Sequence, residues 1–265
     1  MNSKGFSLIE IAIVLVIISI LITIIAVPLA SQVEQQRINE TNKQLEIAKE
    51  AIIGFALANG RFPCAARAID NGVESIDTAT PGACFAYVGF VPAVTLGLSP
   101  IDSSGFSVDA WGLQQNRIRY GVAKLFPPPP PPQPALPSSC AGAGNLVLTR
   151  TGGMKSATMD CLADVTATVN MLTVCSVRPT GSPGAATGCT SLLTNKAPFV
   201  LVSLAKNAAA GSAGADESHN VDQDSYFVSH TPTPESAPGG EFDDIVVWPS
   251  LNTIFARMVQ AGKLP

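Results

Sequence analysis

The 265-residue chain has 16 basic and 20 acidic residues, a formal charge of −4, so an electropositive nucleic-acid surface is not expected. Charged residues make up only 14% of it and hydrophobic residues 46%, part of which lies in an N-terminal apolar run. With 22 Gly and 21 Pro, the remainder reads as loop-rich and strand-based rather than as a helical bundle.

The first element is KGFSLIEIAIVLVIISILITIIAVP, from Lys4 to Pro28. As a helix, Phe6 to Val27 would rise about 33 Å, enough to span a hydrocarbon core. A secretory signal peptide would have a shorter apolar core without an acid in it. A plain membrane anchor leaves Glu10 unexplained, since an acid in such a span costs about 2.5–3.5 kcal/mol at its centre and less near the interface.

Gly5, Phe6, Ser7, Leu8, Ile9 and Glu10, in that order ahead of the apolar run, resemble the prepilin signature of type IV pilins and type II secretion pseudopilins. The resemblance implies a leader, residues 1–5, removed between Gly5 and Phe6 by a prepilin peptidase that also methylates the new amine. It implies an inner-membrane subunit with a single-pass helix over residues 6–28 in contact with lipid, and an extracytoplasmic head. An assembly platform would extract this subunit into a helical filament with other pilin or pseudopilin subunits. Glu10 would then neutralise the Phe6 amine of a neighbouring subunit, and the cost of stranding either charge would fix the register. Lys4 gives a weak positive-inside signal for the leader. Pro28 stands one residue further from Phe6 than the family's proline.

An amphipathic extension is expected over residues 29–60, making a helix of about 80 Å from Phe6 to Asn59. Ile38, Thr41, Leu45, Ala48, Ile52 and Phe55 form one stripe, opposite Glu34, Arg37, Glu40, Lys43, Glu46 and Glu50. Gly60 can take the left-handed cap, and Pro63 cannot continue a helix. The globular head, residues 61–265, follows. FALANGRFPC and DAWGLQQNRIRYGV (Asp109–Val122) are similar to pseudopilin segments, the second implying a β-hairpin packed on the helix. Ile118, Tyr120 and Val122 alternate as in a half-buried strand. The expected fold is α+β: a long N-terminal helix packed on an antiparallel sheet.

Residues 126–137 include six consecutive prolines, a stiff polyproline spacer. NLVLTR and APFVLVSLA read as strands, the second as a central one. Six cysteines, Cys64, Cys84, Cys140, Cys161, Cys175 and Cys189, suggest disulfides in an oxidising compartment. They allow 15 pairings, of which nearest-neighbour pairing is the working expectation. No CxxC occurs and neither histidine neighbours a cysteine, so a cysteine-based zinc site is set aside.

Asp216, Glu217, Asn220, Asp222 and Asp224 crowd oxygen ligands into nine positions, and Asp243 and Asp244 follow. An EF-hand fails, because Ser225 stands where glycine is needed and Thr231 where the bidentate Glu belongs. The region is similar to the C-terminal loop of the major pseudopilin, which implies calcium held by these seven residues; a solvated acidic turn is the alternative. A short helix should follow, with Ser250 as N-cap, Leu251, Ile254, Phe255, Met258 and Val259 apolar, and Gly262 after its end.

No GxxxxGK, HExxH or GxSxG is present, and His219 and His230 sit in polar loops, so no enzyme is expected. A structural filament subunit is the leading class. The enlarged, cysteine-rich head leaves a pilus-borne adhesin as the alternative.

Overall fold

The apolar run and the amphipathic stretch after it form one helix, α1 (Leu8–Asn59), whose backbone stays helical through Pro28. The computed structural model describes residues 7–79, 82–123, 148–149, 153–156, 171–210 and 214–263, with backbone only at 23–30, 155–156 and 210. The polyproline spacer, Cys140 and Cys161 lie outside the described residues. Two compact units divide the chain, residues 1–40 and 41–265. In the first, every side chain from Ser7 to Ile22 is exposed, large aliphatic ones included. Among the described residues no helix is long and apolar enough to cross a membrane.

The second unit opens with the end of α1. Thr41, Leu45, Ala48 and Ile52 are buried along the expected stripe, joined by Ile53 and Ala56, while Lys43, Glu46 and Glu50 face solvent. Phe55 is only half-buried. Gly60, at φ 67°, ends the helix, and its N–H donates to the Ala56 carbonyl at 2.8 Å.

Four antiparallel strands form the larger sheet, in the order β1 (Val88–Phe90), β2 (Arg119–Val122), β5 (Phe199–Ser203) and β7 (Ile245–Val247). Central β5 is buried throughout, which its unbroken apolar run requires. A smaller sheet has β3 (Leu172–Cys175) between β4 (Leu192–Ala197) and β6 (Tyr226–Val228). Its β3–β6 pair is parallel, so this sheet is mixed.

Strand β2 corrects the half-buried expectation. Its Tyr120, Gly121 and Val122 are buried, with only Arg119 half-buried. The smaller sheet covers the second face: a Cβ on Gly121 would stand 2.8 Å from Phe227 Cζ and 3.2 Å from Leu172 Cδ1. An alternating pattern cannot reveal this, because glycine presents no side chain to read. NLVLTR also departs from expectation: its described residues, Leu148 and Thr149, form a turn. Helix α2 (Ala93–Leu96) lies between β1 and β2, and α3 (Gly153–Ser156) lies between β2 and β3.

Cys64–Cys84 and Cys175–Cys189 are bonded, tying the chain after α1 to the approach to β1 and the end of β3 to the start of β4. The final helix α5 (Leu251–Gln260) is capped by Ser250, whose Oγ accepts from Thr253 N at 3.1 Å. Leu251, Ile254, Phe255 and Met258 join the core, but Val259 is exposed.

Asp109 organises the DAWG turn. Its Oδ2 accepts from Ser203 Oγ at 2.6 Å and Asn116 Nδ2 at 3.0 Å, and its Oδ1 from Trp111 N at 2.9 Å. The adjacent Ala110 N–H donates to Thr41 Oγ1 on α1 at 3.1 Å. The turn closes through a Val108–Arg117 bridge, so the DAWG stretch forms a hairpin-like loop seated on the helix. Replacing Asp109 by Ala strands buried donors at Asn116 and Ser203. Asp109→Ala should therefore cost about 3 kcal/mol, read as a lower denaturant midpoint at unchanged m-value.

Candidate functional site

Two regions carry charge where apolar packing would be expected. The first is the start of α1, where Ser7 precedes the first helical residue and Glu10 lies three positions later. The Ser7 N–H donates to Glu10 Oε2 at 3.0 Å, and Glu10 N–H donates to the Ser7 carbonyl at 3.0 Å. This is the backbone half of a capping box, in which the acid satisfies an N–H left free by the helix start. Leu8 is 88% exposed, and the aliphatic side chains after it, through Ile22, are also uncovered. Gly5 and Phe6 lie outside the described residues.

The second region is the acidic loop, whose residues separate into distinct groups. Asp216 stands apart: its Oδ2 lies 3.2 Å from His230 Nε2, and the His230 ring stacks on Phe242 at 3.8 Å. Asn220, on the four-residue helix α4 (Ser218–Val221), acts as a clamp. Its Nδ2 donates to the Val228 carbonyl at 3.0 Å and to Asp244 Oδ2 at 2.8 Å, while its Oδ1 accepts from Val228 N at 2.8 Å.

Glu217, Asp243 and Asp244 come together, each offering an oxygen within 4.8 Å of the others. Glu217 is fully buried. Its carboxylate accepts from Asn207 Nδ2 at 2.9 Å, Asp243 N at 2.8 Å and Gly214 N at 3.2 Å. Asp243 and Asp244 immediately precede β7, whose Ile245 pairs with Ser203 of β5. Beyond Ser203 the chain turns at Ala205, held at φ 44°, and continues into a 3-10 helix (Ala205–Ala210) carrying Asn207. Strand pairing thus delivers Asn207 beside the acids. Asp243 Oδ1, Asp244 Oδ1 and Asn207 Oδ1 are buried with no hydrogen-bond partner. Orphaned acceptors of this kind cost about 1–3 kcal/mol each.

The electrostatics follow from that burial. Desolvation, with the charges of Glu217 and Glu241 adding to it, raises the Asp243 pKa to about 7. Burial also pushes Asp244 well above the carboxylate range, opposed by the Asn220 amide. Burial lowers the pKa of the Arg119 guanidinium, and the nearby charges of Asp222 and Asp244 oppose this.

Asp222 and Asp224 belong to a third group with His219. Gly184 N–H donates to Asp222 Oδ2 at 2.8 Å, and Ala186 N–H to Asp224 Oδ2 at 3.1 Å. The seven acidic-loop positions therefore do not converge on one point. A solvated acidic turn does not describe Glu217, Asn220 and Asp244, all of which are buried.

Asn207 and Gly214 were missed in the sequence. Asn207 lies in an alanine-rich stretch with no ligand-like spacing. At Gly214 a Cβ would meet the Glu241 carbonyl oxygen at 2.0 Å, so only glycine lets its N–H approach Glu217.

Residues 1–26 match the family model described as the prokaryotic N-terminal methylation motif. No curated protein and no solved structure gives a significant match. The motif supports the type IV pilin and pseudopilin signature, that of a pilin-like or pseudopilin-like precursor. It points to a structural subunit rather than an enzyme, to processing by prepilin peptidase, and to assembly with other pilin subunits in an envelope-associated filament.

The burial of Asp243 has a pH consequence. The unfolded side chain ionises near 3.8, while the folded one holds its proton to about 7. Between those values the unfolded state binds fewer protons, so this residue's contribution to stability falls as pH rises and the loss is complete above about 7. Thermal melting of the full chain in detergent and chelator should show this decline between the two values. The slope should be shallower in Asp243→Asn.

Proposed function

We propose that the chain is a structural subunit of a type IV-type filament, a pilus or a type II secretion pseudopilus, with a calcium-stabilised head. The observation that carries this reading is the methylation motif over residues 1–26, which takes in the start of α1. Cleavage between Gly5 and Phe6 would place the new α-amine next to the Ser7–Glu10 cap. In a filament, Glu10 would pair with the Phe6 amine of a neighbour, while the apolar side chains that follow pack against other copies. An apolar surface left uncovered from Leu8 to Ile22 needs a nonpolar environment, and a lipid bilayer before assembly or a helix bundle after it would supply one. The predominantly apolar sequence from Phe6 to Val27 supports a single-pass, inner-membrane storage form with the head in the periplasm. The two disulfides fit that oxidising compartment.

N-terminal peptide mass spectrometry tests this reading on protein from its native host, comparing wild type with Glu10→Ala. Both should begin at N-methylated Phe6, but only wild type should be recovered in sheared filaments. A chain beginning at Met1 would make it an unprocessed anchor, and filaments that accept Glu10→Ala would remove the charge pairing.

Calcium in the head rests on Glu217, Asp243 and Asp244, with Asn207 Nδ2 bracing the Glu217 carboxylate. Hard oxygens in an irregular arrangement suit calcium. A divalent ion would satisfy the orphaned oxygens and offset the repulsion among buried carboxylates. It would also tie the segment after β5 to the start of β7. Because such an ion binds only the folded head, it stabilises the head by mass action. Chelator should lower the melting temperature of the full chain in detergent, and added calcium should restore it. In Asp243→Asn the calcium response should be lost or greatly reduced. Identical melting curves with and without chelator would remove the ion.

A further inference from the structure

His219 is 1% exposed, and neither Nδ1 nor Nε2 has a hydrogen-bond partner. A buried imidazole with both nitrogens idle is costly, because each was hydrogen-bonded to water before folding. The closest charged group is Asp222, whose Oδ2 lies 3.6 Å from Nδ1, beyond hydrogen-bond distance. An imidazolium would leave its Nε2–H without an acceptor, so this ion pair does not account for the side chain. A nitrogen of His219 and one oxygen each of Asp222 and Asp224 lie within 4.8 Å of one another.

Both carboxylates are aimed by the backbone. Asp222 accepts from Gly184 N and, at 3.0 Å, from Asp224 N. Asp224 accepts from Ala186 N and, at 2.8 Å, from Tyr226 N. These bonds leave lone pairs on the carboxylates. Gly184 and Ala186 belong to the loop closed by Cys175–Cys189, so the loop braces the acids from one side and β6 from the other. Asp222 and Asp224 are half-buried, which gives an ion a route in from solvent.

We propose that His219, Asp222 and Asp224 form a second cation site, one that takes a divalent transition metal of the zinc type. One imidazole nitrogen and two carboxylate oxygens form the ligand set of an open zinc-type site, with the fourth position left to water. Bonds of about 2.0–2.2 Å put tetrahedral ligands about 3.4 Å apart, so side-chain movements of about 1 Å close the site. Calcium would be the wrong occupant, because it takes oxygen ligands and would leave the imidazole unsatisfied. The ion would tie α4 to the α4–β6 turn, whose carboxylates the disulfide-closed loop holds through Gly184 N and Ala186 N. The site is separate from the Glu217 cluster and independent of the filament reading.

Cobalt substitution tests the site. The full chain in detergent micelles, stripped with chelator, dialysed and held in excess calcium, is titrated with Co2+. The expected result is one equivalent of tightly bound Co2+ with the intense visible absorption of low-coordinate cobalt, bleached by equimolar Zn2+. The chain has two histidines. His219→Gln should weaken binding at least tenfold, whereas His230→Gln should leave it unchanged. If His219→Gln fails to melt cooperatively, Asp224→Asn serves in its place with the same expected loss. Absence of the band in wild type, its displacement by calcium, or its survival in His219→Gln or in Asp224→Asn would overturn the proposal. Loss of calcium-dependent melting with cobalt binding intact would remove only the calcium reading.

Discussion

Strand β5 is the constraint on which the rest of the head depends. Phe199 to Ser203 are buried throughout, between β2 and β7 within the sheet. Phe62, just beyond α1, packs edge-on against Phe199 with ring centres 5.4 Å apart, and Tyr120 sends its hydroxyl to the Pro63 carbonyl at 3.0 Å. A strand without a solvent face has one workable register, because a one-residue slip would exchange every contact on both sides. That register places Ser203 under Asp109, and thereby the DAWG turn against Thr41 of α1. It also pairs Ser203 with Ile245, which sets Asn207 beside Asp243 and Asp244. Fold and candidate site thus share one cause.

The acidic loop shows how burial turns composition into chemistry. Exposed carboxylates would be separately solvated and need no partner. Here Glu217 and Asp244 are removed from water, and Arg119, between Asp222 and Asp244 in its charge interactions, is drawn in with them. The backbone divides the acids. Asn220 binds Val228 and Asp244 on one side, while Gly184 and Ala186 hold Asp222 and Asp224 on the other. Two clusters with different donor sets result, one all-oxygen and one containing an imidazole.

At the other end, Glu10 has a role within its own helix as well as the one proposed in a filament. An acid at the third helical position accepts from the Ser7 N–H and faces the positive end of the helix dipole. Both interactions hold the side chain over the helix start before any neighbour arrives. The charge is therefore held at a defined place ahead of an apolar surface, which suits a group that must recognise a partner's amine.

The sequence by itself determined the long helix, the processing signature, the buried stripe from Thr41 to Ile52, the central strand and the capped final helix. Each is written in neighbouring residues: a period near 3.6, an unbroken apolar run, a serine before an amphipathic stretch. Only the tertiary structure decided that β2 is covered on both faces, because its second face is a glycine beneath Phe227 from a distant strand. The same holds for the acidic site. Asp243 and Asp244 were legible as acids in a row, but Lys206, whose N–H donates to Asp243, lies 37 positions away and arrives through the β5–β7 pairing. That His219 belongs with Asp222 and Asp224 while Glu217 belongs with Asp243 and Asp244 follows from the tertiary hydrogen bonds that hold each carboxylate. Spacing along a chain specifies which groups are near in sequence, whereas burial and strand register specify which of them must share a charge.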